Sequence, residues 1–139
     1  MHATICSDDN QKYGAISSTH GFVTVKSEFG WVEVNGVKYE NDIILHVDGT
    51  ITKRKKKKSK DLKSLYGHTP LSERELDFLS EEKPDVVYIG TGHNAALPIT
   101  PEAISILKKY ETVILPTQEI TEKIDQEHRK TVALIHVTC

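Results

Sequence analysis

The chain has 139 residues, of which 37% are hydrophobic and 27% charged, and its formal net charge is −2. Those values describe one globular domain able to bury a single core, and no window reaches the ~18 consecutive apolar residues that a bilayer-spanning helix needs. The small net charge hides an asymmetry. Residues 53–60, KRKKKKSK, carry seven basic groups and no acid, so the rest of the chain sets eleven basic residues against twenty acidic ones.

Residues 1–20 are mostly small or polar and show no periodicity, which predicts a flexible tail. They lack the basic-then-apolar order of a secretory signal, so a cytoplasmic location is expected. Cys6 and Cys139 are too few and too far apart for a disulfide framework, and both are expected as thiols in a reducing compartment. From His20 to Glu28 the chain begins to read as a strand. Trp31–Val34 and Val37–Tyr39 flank Asn35-Gly36, a pair whose ease with positive φ makes it a strong hairpin signal. Asp42–Val47 is an apolar strand run, Asp48-Gly49 a second turn, and Thr50–Thr52 leads outward. The first half is therefore a β-meander of three to five strands.

The lysines that follow cannot all pack, which predicts a solvated, mobile loop. No element is read between Asp61 and Pro70. Ser72 and Glu75 stand at the N-cap and N3 positions of a capping box, opening a helix that Pro84 ends near Lys83. From Asp85 the pattern becomes alternation. Strand 86–89 precedes a helix over 101–109, with Thr100 as cap, Pro101 at N1 and Glu102 on the dipole. Strand 112–115 precedes a helix capped by Thr117, with Ile120 and Ile124 on one face, and strand 131–137 follows. This βαβαβ order implies parallel strands with helices on both faces of the sheet. The fold class is α/β in three layers, β+α/β/α. Its central mixed sheet joins the N-terminal antiparallel meander to the C-terminal βαβαβ unit, and 21–139 make one domain.

The loop Gly90-Thr91-Gly92-His93-Asn94 is the best candidate ligand site. Two glycines present backbone N–H groups, and Thr91, His93 and Asn94 add a hydroxyl, an imidazole and an amide. A dinucleotide fingerprint would need a third glycine at Ala95 and an immediate helix, and a phosphate-binding P-loop would need Gly-Lys-Ser/Thr; neither is present. The alternative is a strand–helix connection that needs only glycine geometry. Thr117 opens the next helix on the same sheet edge, where helix N-termini favour anions. His46 and His136 lie in apolar strands and are read as hydrogen-bonded core or sheet residues. No histidine–cysteine spacing suggests a metal site, and no cofactor is expected. Lys53, Lys55, Lys56, Lys57, Lys58 and Lys60 could meet an anionic partner, whether nucleic acid, membrane or an acidic protein face. Without an aromatic in the run, base stacking is not suggested.

Four segments, FGWVEVNGVKYENDIILHVDGTITKR, GHTPLSERELDFL, KPDVVYIGTGHNAALPITPEA and VALIHVTC, occur in the order in which the MTH-nine-three-eight domain family carries them. The chain resembles that family over residues 21–139. The resemblance implies the three-layer fold, and a pocket lined by the Gly90–Gly92 loop and the Thr117 turn, with Arg54 nearby. It also implies that relatives act as assembly or interaction factors without an established reaction. The chain departs from the family's pattern at Ile120, where a small residue is usual, and at Ile124-Asp125, where a Tyr-Asn pair is usual.

Two classes of function follow. The first is a non-catalytic binding or assembly domain that docks a protein partner, another copy included. The second is an enzyme or sensor for a small anionic ligand in the Gly90–Asn94 crevice, with backbone N–H groups and Arg54 holding the anion and His93 transferring a proton. A weaker third is nucleic-acid contact through Lys53–Lys60. No association with a membrane is expected.

Overall fold

The computed structural model describes residues 24–139. The tail expected over residues 1–20, and the first part of the strand expected from His20, lie outside the described residues. Strands β1 (Val25–Glu28), β2 (Trp31–Val34) and β3 (Val37–Tyr39) form an antiparallel sheet of their own. The strands β4 (Ile43–Leu45) and β5 (Ile51–Lys53) instead join β6 (Val86–Gly90), β7 (Glu111–Leu115) and β8 (Thr131–Ile135) in a five-stranded sheet ordered β5-β4-β8-β6-β7. In it β6 runs parallel to β7 and β8, while β4 runs antiparallel to β5 and β8. The meander is thus divided: its first three strands fold over the central sheet, and its last two extend it.

The turns behave as their residues require. Asn35 and Gly36 both take positive φ, 49° and 85°, between β2 and β3, and Gly49 does so at 89° between β4 and β5. Gly30, at φ 95°, makes a further turn between β1 and β2.

Alternation along the central strands builds the two cores. Ile43, Leu45, Val86, Tyr88, Ala133 and Ile135 face Val32, Val34 and Tyr39 of the small sheet and Ile120 and Ile124 of helix α4 (Thr117–Asp125). Ile44, Val87, Ile89, Val132 and Leu134 face the other way, under Leu71, Leu76, Leu79 and the helix α3 (Pro101–Leu107) residues Ala103 and Leu107. Thr100 caps α3 as expected, its hydroxyl accepting from the Ala103 N–H at 3.1 Å.

Three local expectations are corrected. The predicted helix from Ser72 is a 3₁₀ turn, Glu73–Glu75, followed by a one-turn helix, α2 (Leu79–Glu82). No capping box forms, because the Glu75 carboxylate is drawn away to Arg54, 2.7 Å from its Nε. The helix containing Thr117 starts one residue earlier, with Pro116 at the cap; the Thr117 hydroxyl is used elsewhere. Finally, the lysine run is not a loop but a 3₁₀ helix over Lys56–Leu62, continued by a single α-turn, α1 (Lys63–Tyr66), that closes on Gly67 at φ 78°. Residues three apart eclipse in a 3₁₀ helix. Lys56 and Ser59 accordingly turn inward together, while Lys57 and Lys60 point out.

Candidate functional site

The carboxyl ends of β6 and β8, the start of α4 and the residues after β8 meet at the glycine loop. Gly90 has no room for a side chain, since a Cβ there would lie 2.9 Å from Thr117 Oγ1. Gly92 takes φ +99°, and a Cβ on it would fall 2.3 Å from the Cys139 carbonyl carbon and 2.7 Å from the His136 ring. Both glycines are therefore demanded by close approach of the chain to itself.

The N–H groups that could have faced a ligand are bonded within the protein. Thr91 N–H donates to Leu115 O at 2.9 Å, His93 N–H to Thr138 O at 2.9 Å, and the Asn94 and Ala96 N–H groups both donate to Cys139 O, at 3.2 and 3.0 Å. Gly92 N–H donates to Thr117 Oγ1 at 2.8 Å, and that hydroxyl donates to His136 O at 2.6 Å. Thr117 N–H in turn donates to Gly92 O at 3.1 Å. Thr117 is thus a buried clasp between the glycine loop and the end of β8. The side chain of Thr91 also donates inward, to Leu115 O at 3.1 Å.

What reaches the surface here is the outer lip of the loop. Asn94 is exposed, and His93 is half-buried with its ring edge-on to exposed Phe29 at 6.1 Å. The His93 Nε2 is buried without a hydrogen-bond partner. Burial holds the imidazole below its ordinary pKa, against the opposing pull of Glu28 and with the help of nearby His136.

Arg54 lies in a different place, at the centre of a buried polar cluster where β5 ends beside the start of β4. Its Nε donates to Glu75 Oε1 at 2.7 Å, Nη1 to Asp42 Oδ2 at 3.1 Å, and Nη2 to Glu75 Oε2 at 3.0 Å and Pro70 O at 2.9 Å. The Ser59 hydroxyl adds a bond to Glu75 Oε2 at 2.6 Å and lies 2.6 Å from the Ser72 hydroxyl. Asp42 connects this cluster to the glycine loop. Its Oδ2 lies 2.7 Å from His136 Nδ1, and its Oδ1 accepts from Val137 N–H at 2.9 Å. Burial alone would raise the Asp42 carboxyl. The charge and hydrogen bond of His136, then Arg54 and Lys56, outweigh it and hold the group well below the usual carboxylate range.

The structure thus brings Gly90, Thr91, Gly92, His93, Asn94 and Thr117 together, and ties Arg54 to them through Asp42 and His136. The guanidinium of Arg54 faces protein groups. Of the basic run, Lys56 is buried and Lys53 half-buried, while Lys55, Lys57, Lys58 and Lys60 are exposed on the 3₁₀ helix or beside it. Asp42, Glu75, Ser59, Ser72 and His136 were not read as one cluster. A charged residue opening an apolar strand, as Asp42 does, and an imidazole ending one, as His136 does, are the traces they leave in the sequence. His46 and His136 are hydrogen-bonded as expected, but each stands one residue past the end of its strand, β4 and β8; the ring nitrogens of His46 lie 2.6 Å from Glu82 and 2.7 Å from Thr52. Among the described residues, no three His, Cys, Asp or Glu side chains are grouped so as to hold a metal ion, and no helix is long and apolar enough to cross a membrane.

No protein-family model matches the chain, and no curated protein does. Solved structures do. The protein MT938 is 34% identical and superposes with a TM-score of 0.69, over 84% of this chain and 99% of its own. The conserved hypothetical protein PH1505 from Pyrococcus horikoshii OT3 is 28% identical, with a TM-score of 0.72 over 83% of this chain and 98% of its own. A Mth938-like domain from Bordetella pertussis is 19% identical at a TM-score of 0.50, covering 91% of this chain and 92% of its own, and shares the fold. With that identity to MT938 across nearly the whole of its length, and with the same three layers around a mixed sheet, the chain belongs to the Mth938-like domain family.

Proposed function

We propose that the protein is a non-catalytic binding or assembly domain that docks a protein partner. The observation that carries this reading is the state of the glycine loop, whose N–H groups from Thr91 to Asn94 donate to the chain's own oxygens. An anion seated there would have to break bonds inside a buried network, each costing about 1–3 kcal/mol to leave unmade. The Arg54 guanidinium is likewise engaged with Asp42 and Glu75. The exposed lip, with Phe29, His93 and Asn94, is suited to contact with another surface.

A panel of nucleotides, sugar phosphates and carboxylates screened by thermal shift tests the reading. No stabilisation is expected. A ligand at 100 times its Kd adds about 2.7 kcal/mol, so a melting shift of several degrees from any of them overturns it. Affinity capture at low and moderate salt should return a partner in stoichiometric amount.

One observation favours the second reading, a sensor or enzyme for a small anionic ligand. His93 Nε2 is buried, unpartnered and held in the neutral form near pH 7, which suits it to accept a proton. Loss of a ligand-induced shift on His93→Gln, with the fold intact, would select that reading over the first.

A further inference from the structure

We infer that the lysine-rich 3₁₀ helix and the turn after it form a docking surface for an anionic lipid membrane. The segment is anchored to the protein along one side and exposed along the other. Its inner side is fixed by buried Lys56 and by Ser59, bonded to Glu75 at 2.6 Å. Its flank is fixed by Arg74, which donates to Asp61 at 2.6 Å and to Lys58 O at 3.0 Å. From Lys63 to Gly67 every residue is exposed.

Spacing places Lys57, Lys60 and Lys63 three apart, on one outward ridge, with Lys55 and Lys58 beside it. No ion pair engages Lys57, Lys60 or Lys63 among the described residues. At the tip the ridge meets apolar groups. Leu65 is 78% exposed, the most exposed of the large hydrophobic side chains among the described residues, and Tyr66 beside it is 37% exposed.

This pairing of charge and apolar tip decides the kind of partner. Lysines near an anionic leaflet gain from its negative surface potential. An aliphatic side chain next to a tyrosine, on an exposed turn, fits the boundary between headgroups and acyl chains. Nucleic acid would reward the lysines equally and could stack a base on Tyr66, but it leaves Leu65, the more exposed of the two, without a role. The ridge is also all lysine, without the arginine forks that read phosphate or base edges in pairs.

Flotation with vesicles tests this. The protein should float with vesicles of phosphatidylcholine containing about one-third phosphatidylserine and stay behind with phosphatidylcholine alone. Replacing Lys57, Lys60 and Lys63 together by Ser should weaken binding at least tenfold, as should raising salt. Leu65→Ser should weaken it several-fold with the salt dependence unchanged, a separation that electrostatics alone would not produce. Unaltered far-UV circular dichroism and melting would show that these surface changes leave the fold in place. Absence of binding to anionic vesicles overturns the proposal, and so does binding indifferent to Leu65→Ser. Tighter binding to mixed single-stranded RNA than to the vesicles, with Leu65→Ser without effect, also overturns it and assigns the ridge to nucleic acid.

Discussion

Arg54 and Arg129 each stand between two carboxylates, in different parts of the molecule. Arg129 donates from Nη1 to Glu111 Oε1 at 2.9 Å and from Nε to Glu127 Oε2 at 2.9 Å, distances much like those around Arg54. The surroundings differ. The Arg54 side chain has no exposed area, while that of Arg129 is 45% exposed. For Arg129 water already reaches the guanidinium, so the ion pairs gain little, and that little is screened by salt. For Arg54 the three charges have been stripped of water, and each depends on the others. Equivalent bond lists therefore mean a keystone in one place and a trim in the other.

The largest effect is expected from breaking the buried cluster. Arg54→Met leaves Asp42 and Glu75 without their shared cation in the core and should cost about 3–5 kcal/mol in urea or thermal unfolding. A cost below ~1 kcal/mol would show that the two clusters are equivalent after all. Thr117→Val removes a buried clasp that is polar but uncharged. It removes the acceptor of Gly92 N–H and the hydroxyl that donates to His136 O at almost unchanged volume, and should cost about 2–4 kcal/mol. That result would show how much of the keystone effect is burial rather than charge.

Acid should sharpen the contrast. Asp42 and Glu127 both have depressed pKa values in the folded state, Glu127 at about 2 through its bonds to Arg129, opposed by burial and helped by Tyr88. A depressed carboxylate stabilises the fold above its unfolded value near 4, and that stabilisation drains away as pH falls toward the folded value. Stability should therefore decline below about pH 4. In Arg129→Ala the Glu127 part of the decline should shrink, and the Asp42 part should persist at high salt. The smallest effect is that of Arg129→Ala at neutral pH, under about 1 kcal/mol and vanishing in molar salt.

The C-terminal half was the more legible part of this chain, because its determinants are local. Thr100-Pro101 starts a helix within four residues, and the runs at Val86 and Thr131 are strands by composition. Asn35-Gly36 and Asp48-Gly49 are likewise self-sufficient. The failures share one cause. Glu75 would have completed a capping box, but a partner 21 positions away claims its carboxylate. The lysine run looked like a loop because composition conceals a period of three in which Lys56 and Ser59 turn inward. The glycine loop was located correctly in the chain, yet what fills it comes from Thr138 and Cys139. No local pattern announces groups that arrive from so far along the chain.

The place of β8 has a kinetic consequence. Although it is the last strand in chain order, it lies in the middle of the sheet, between β4 and β6. The meander and the parallel unit share no ladder of their own, so neither can complete the sheet until β8 inserts between them. The contact that seals the insertion, Asp42 with His136, spans 94 positions. Closing so large a loop before any reward arrives slows folding, so refolding should be slow for a domain of this size, with the sheet edges of β4 and β6 open in the interim. Those transient edges, more than any surface of the finished fold, are where the chain is vulnerable to pairing with another copy of itself.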